Sequence, residues 1–308
     1  MESYQISGIK NWAKQIWRGF TSLPRPDQLG IIIIFAFAML GPLLDLGGWD
    51  FLQAFRRDTL SGNFGFKTWH PYPIYWLIYP YAILPAKLGF LLWNLTSAVC
   101  FIVAIRLWNG RYLNFALSLP LFWMFYAGQI DGFIALGLAL AVLANPYLAG
   151  LGLVLLTIKP QVGLLPILFV VYHRRDWRLF VVPIAIFLLS LIQWGWWVPD
   201  WVASILEIEK ADEVTNITLY PYSLILLPVL WFKRSSLNVW YLVGSLLAPY
   251  YAVYSLVSLF CRFFPVWVNL FVWVMYLSLI WIDYPVPGFL IPLTLLLYVL
   301  FFDHSESK

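Results

Sequence analysis

Residues 47–85 read GGWDFLQAFRRDTLSGNFGFKTWHPYPIYWLIYPYAILP, and this stretch decides how the rest of the chain is read. It is the first long polar interruption in a chain otherwise made of apolar runs and short turns. Asp50, Arg56, Arg57, Lys67 and His70 gather here beside Trp, Tyr and Pro, directly after an apolar run. Ionisable side chains close to hydrocarbon are costly, and such a cluster at a membrane edge marks a candidate functional site. Asp50 opens a run, DFLQAFRRDTLSG, that reads as a short helix. Gln53 three residues on suggests a capping box, and Gly62 suits the helix stop. Pro71, Pro73, Pro80 and Pro85 then break the following run into an aromatic segment too short to cross a bilayer, which predicts a re-entrant piece.

Working outward, the composition names the solvent. Of 308 residues, 62% are hydrophobic and 11% charged, and the mean hydropathy is +0.80. Soluble domains carry about 25% charged residues, so lipid is the solvent here. Long apolar runs without alternation point to helices rather than a barrel. The expected fold is all-α, a polytopic transmembrane helical bundle in one integral domain, 29–304, with 47–85 and 199–221 as outer loops. Residues 1–28 read as a cytoplasmic amphipathic interfacial helix, with Lys10, Lys14 and Arg18 on one face. The charge of +4 sits in that arm and in short turns, as membrane orientation requires, and no basic cluster is long enough for nucleic acid. Cys100 and Cys261 lie in apolar runs and read as small buried hydrophobes.

Apolar runs fall at about 29–46, 86–107, 113–127, 131–145, 146–159, 160–173, 179–198 and 222–233, then 237–251, 252–264, 266–282 and 287–302. Alternation gives about twelve spans with both ends cytoplasmic. The turn His173-Arg174-Arg175-Asp176-Trp177-Arg178 then lies inside, in keeping with the positive-inside rule. A full crossing by 71–85 would place that turn outside.

Asp50 is the first candidate for chemistry, as an N-cap or as a general base accepting a proton from a substrate hydroxyl. Asp45, at a span end, and Asp58, paired with a neighbouring arginine on an exposed helix face, are weaker candidates. Lys159, in TIKPQVG, either snorkels to the interface or holds a phosphate as a point charge. Gln129 and Asp131 lie where two spans meet, and a buried Asp131 must find a partner or stay protonated. No metal-ligand spacing is present, and no metal or cofactor is expected.

Four segments, in this order, resemble the polytopic C-type glycosyltransferases, most closely glycosyltransferase family eighty-seven, the polyprenyl-phosphate-mannose-dependent mannosyltransferases. WDFLQAFRRDTLSG is similar to the family's first outer loop, and HPYPIYWLIYPYAILP to its Tyr-Pro-Pro segment, with Pro-Tyr-Pro in its place. GQIDGFIALGLALA is similar to its Gly-Gln-(apolar)-Asn motif, with Asp131 at the Asn, and TIKPQVGLLPILFVVYHRRDWR to its Lys-Pro motif and basic turn. The resemblance implies an inverting transferase that moves a hexose, mannose first, from a polyprenyl-phosphate donor to a lipid or glycan acceptor at the outer face. It implies Asp50 as base, and Lys159, with Arg56, Arg57 and His70, as contacts to the donor phosphate. Tyr72, Pro73, Gln129 and Asp131 would line the substrate site. A transporter or flippase is the rival class, but the paired broken spans of inverted repeats are not visible. A non-catalytic membrane subunit is a third reading.

Overall fold

The computed structural model describes residues 18–62, 70–207, 216–262, 264–281 and 288–302. Most of the expected interfacial helix lies outside them, as do Lys67, the charged residues Glu209, Lys210, Asp212 and Glu213, and residues 303–308. Among the described residues the regular elements are all helical, as the composition predicts. They are α1 (Arg25–Leu44), a π-helix (Asp50–Phe55) continuing into α2 (Arg56–Ser61), α3 (Ile74–Ala82), α4 (Ala86–Leu107), α5 (Tyr112–Ala116) and α6 (Leu119–Ala127). Next come α7 (Asp131–Ala141), α8 (Pro146–Thr157), α9 (Pro160–Arg174), a 3₁₀ turn (Trp177–Phe180) leading into α10 (Val181–Trp194), and α11 (Val198–Glu207). A 3₁₀ turn (Tyr222–Leu226) precedes α12 (Leu227–Phe232), and α13 (Leu237–Leu247) follows. A further 3₁₀ turn (Val253–Leu256) precedes α14 (Val257–Phe260), then α15 (Val266–Trp281) and α16 (Leu290–Phe302).

Prolines set many of these boundaries. Pro146 and Pro160 occupy the first positions of α8 and α9, where a missing N–H costs nothing. Asn145 caps α8 by accepting from the backbone N–H groups of Tyr147 and Leu148 at 2.9 and 3.1 Å. Pro199 and Asp200 in its first turn make α11 a helix where the sequence predicts the start of an outer loop.

Among the described residues, three stretches are long and apolar enough to cross a membrane: α1, α4 and Trp177–Trp194. The other runs read as spans form shorter helices. An 11-residue helix such as α7 rises about 16 Å against a hydrocarbon core of about 30 Å. The run 252–264 is shorter still, a four-residue 3₁₀ turn followed by a four-residue helix. Twelve single-helix crossings therefore do not follow from these lengths.

Contacts at the helix ends fix their directions. At one end of the bundle Asp45, just past α1, pairs with Lys87 in the first turn of α4 at 2.9 Å. At the opposite end the buried Asp27 of α1 accepts from the Tyr112 N–H at 3.0 Å and pairs with Arg111 at 3.4 Å. Helices α1 and α4 are thus antiparallel. Arg174 at the end of α9 donates to the Ala144 carbonyl at 2.7 Å, so the basic turn meets the α7–α8 turn. The 71–85 segment begins beside His70, bonded to the Ile158 carbonyl, and ends beside Lys87. Both its ends lie at the end of the bundle that carries Asp50, so the segment returns to the end from which it starts.

Helix α7 is the centre of the packing. It is buried almost all round, against α4, α8, α9 and α14, as a helix apolar on every face must be. Lipid gives little hydrophobic drive between helices, so small residues and close backbone approach matter more. A methyl placed on Gly152 of α8 would stand 2.5 Å from the Gly137 carbonyl oxygen and 2.4 Å from the Ala141 nitrogen of α7. Only glycine permits that approach.

Candidate active site

Gly47 and Gly48, at φ of 71° and 76°, turn the chain out of α1. A Cβ on Gly47 would sit 2.1 Å from the Tyr126 carbonyl oxygen, and the Gly48 N–H donates to that oxygen at 2.7 Å. This turn seats the π-helix against the end of α6. Phe51 is fully buried and stacks on Trp93 of α4, ring centroids 5.5 Å apart. Trp93 Nε1 in turn donates to the Gly128 carbonyl at 2.9 Å. Two neighbours of Asp50 and Gln129 are thereby pinned to one indole.

The capping box is not formed. Trp49 is already helical at φ −57°, ψ −46°, and no side chain caps the π-helix. The Asp50 carboxylate instead accepts a short hydrogen bond at Oδ2 from Gln129 Nε2. Gly62 does end the helix as predicted, at φ 70°. Wide π-turns recur at functional sites.

Gln129 Nε2 also donates to the Tyr254 hydroxyl at 3.0 Å. The Lys159 ammonium lies 4.8 Å from the Tyr254 ring centroid, a cation–π distance. The same ammonium donates to both oxygens of Asp131, at 2.9 and 3.1 Å. Asp131 is wholly buried and Lys159 is 4% exposed. Lys159 is therefore not snorkelling: it is half of an interhelical ion pair at the starts of α7 and α9. Asp50, Gln129, Tyr254, Lys159 and Asp131 form one polar island in apolar surroundings.

Burial pushes the Asp50 carboxyl above the ordinary carboxylate range. The Gln129 hydrogen bond and the Lys159 charge pull it back, and the Asp131 charge adds to the rise. His70 sits beside this island, its ring 5.2 Å from that of Phe55. Its Nδ1 donates to the Ile158 carbonyl at 2.8 Å. Burial lowers its pKa to about 4 against the hydrogen bond to Ile158, and the Lys159 charge adds to the fall. His70 is therefore neutral near pH 7.

The remaining candidates stand apart from the island. Arg56 donates from Nη2 to the Leu84 carbonyl at 3.3 Å, while its buried Nε finds no partner among the described residues. Arg57 pairs with Asp58 at 3.1 Å; the arginine is exposed, but Asp58 is buried, not on an exposed face. Asp45 is held on the surface by Lys87. Tyr72 stacks on Trp197 at 5.1 Å and meets Trp194 edge-on, with Pro73 starting α3 beside it. Tyr72 and Pro73 thus belong to an aromatic wall around the end of α10. Tyr254 is not among the sequence candidates, and it reaches Gln129 from 125 residues away. Among the described residues no three His, Cys, Asp or Glu side chains group as a metal site.

A family model described as glycosyltransferase family 87 matches residues 69–223, half of the chain, and so includes Gln129, Asp131 and Lys159 but neither Asp50 nor Tyr254. No curated protein and no solved structure matches the chain. The matched stretch holds the aromatic wall, the α7–α9 core and the buried ion pair, and by that match the chain belongs to glycosyltransferase family 87.

Proposed function

We propose that this glycosyltransferase moves a hexose, mannose first, from a polyprenyl-phosphate donor to a lipid or glycan acceptor at the outer face of the cell membrane, with inversion. Asp50 takes the proton of the acceptor hydroxyl as that oxygen attacks the anomeric carbon. The bond from that carbon to the phosphate oxygen breaks, and the polyprenyl phosphate leaves. Lys159 contacts the phosphate with the ammonium hydrogen that Asp131 does not take. Arg56 and Arg57 are further cations for the donor, and Tyr72 and Pro73 shape its approach. No cofactor or metal takes part in this reading; the donor carries its own activated bond.

The observation that supports it best is the hydrogen bond tying Asp50 to Gln129. It sets a carboxylate next to the buried Lys159–Asp131 pair, so a base and a cation share one polar island. Purified protein in lipid vesicles, given radiolabelled polyprenyl-phosphate mannose and a membrane-lipid extract, is expected to pass label to an extractable acceptor. Label passed only from a nucleotide sugar would overturn the donor class, and label passed from another polyprenyl-phosphate sugar would replace mannose.

A further inference from the structure

The Gln129 side-chain amide stands between two acceptors. Its Nε2 gives one hydrogen to Asp50 Oδ2 and the other to the Tyr254 hydroxyl. An amide with both hydrogens spent cannot turn without breaking one of these bonds. Tyr254 is itself fixed. It lies in the Val253–Leu256 turn, which packs on α6, and the Ser255 carbonyl accepts from the Tyr241 and Tyr251 hydroxyls. The Lys159 ammonium over its ring holds it from the other side. The carboxylate thus has one oxygen committed to Gln129, while Oδ1 has no hydrogen-bond donor among the described residues.

We propose that Gln129 and Tyr254 are positioning residues: together they hold Asp50 in its ionised form and reserve Oδ1 for the acceptor hydroxyl. This rests on the reading of Asp50 as base. It gives Gln129 a role beyond lining the site, and it brings in a residue outside the family match. Burial works against the ionised form, and a donated hydrogen bond restores it. The charged groups that face Asp50 are Lys159, which also favours ionisation, and Asp131, which opposes it. Without Gln129, burial is opposed only by the Lys159 charge, which Asp131 in part offsets.

The test reads Asp50 directly. Carbodiimides react with protonated carboxyl groups, so the pH dependence of labelling at Asp50, followed by peptide mass in the full chain, gives its midpoint. Gln129→Leu is expected to raise that midpoint by about one pH unit or more, the scale of a hydrogen bond to a charged group. Tyr254→Phe, which keeps the ring under Lys159, is expected to raise it by less. In sugar transfer both variants should lose kcat more than KM, and the acid limb of the rate profile should move up with the labelling midpoint. Should Gln129→Leu fail to fold, the near-isosteric Tyr254→Phe carries the test. Midpoints equal to the parent's in every folded variant would overturn the proposal, and activity lost without such a shift would mean a merely structural role. If Asp50→Asn transferred sugar as the parent does, the base reading would fall, while the labelling midpoints would still decide whether Gln129 and Tyr254 hold the charge.

Discussion

Lys159 and Asp131 invite a double-mutant cycle that separates fold from function. At 2.9 Å and an effective dielectric near 20, two unit charges attract by about 6 kcal/mol, and removal from water offsets much of that. Removing one partner leaves the other charge buried alone, at a cost of about 3–5 kcal/mol. Lys159→Met and Asp131→Leu should therefore each lower the melting temperature of the detergent-solubilised protein by about 10 °C, given about 2–4 °C per kcal/mol. The double variant replaces the pair with apolar side chains and should recover most of that loss, because such exchanges are close to neutral. It should still transfer no sugar, since the cation proposed for the donor phosphate is gone. Lys159→Arg should keep more donor binding than Lys159→Ala. Thermal melts give the first comparison and labelled-donor transfer the second. Two single variants as stable as the double would refute the energetic argument, and a double variant with parent-like transfer would remove Lys159 from the donor site.

Asp50→Asn should keep the fold and donor binding while cutting turnover by roughly 10²-fold or more in the transfer assay, since a general base contributes on that scale. Because the carboxyl is pushed up by burial, turnover should fall on acidification at a pH above the ordinary carboxylate pKa of 3.8. His70 is neutral in the fold down to about pH 4 but protonates in the unfolded chain near 6.5. Its stabilisation should be complete above pH 6.5, fall as pH drops, and be lost through pH 4; the whole is about 3 kcal/mol. Melts of His70→Asn should show a flatter pH dependence over that window. A single cysteine at Arg175 should resist an impermeant reagent in intact cells while one at Gly62 reacts; the reverse pattern would invert the proposed orientation.

How much of this was legible in the sequence depends on the range of the interaction. The limits of α4 coincide with the run 86–107, because Pro85 and the apolar length are local signals. Four prolines break 71–85 into a short segment, and its two ends lie at one end of the bundle. No capping box forms at Asp50, because Trp49 is already helical and Gln129, 79 residues away, donates to the carboxylate. Lys159 reads as an interfacial lysine until Asp131 is seen opposite it. Asp131 raised the question of a partner, but the sequence does not say which cation answers. Helix lengths are less legible, because adjoining short apolar helices and full crossings look alike when only hydropathy is counted.

The same network has a timetable. Lys159 and Asp131 are 28 residues apart, whereas Gln129 must wait for Tyr254, 125 residues later. Closing the longer loop costs only about 1.3 kcal/mol more than the shorter, so the delay is kinetic. At about 5–20 residues per second, a ribosome makes Tyr254 some 6–25 s after Gln129. During that interval the nascent chain can join its ion pair early, but the amide beside Asp50 lacks its second anchor. Completion of the carboxylate's surroundings is thus coupled to insertion of the late helices. A chain stopped after α12 would carry the paired lysine and lack the finished site.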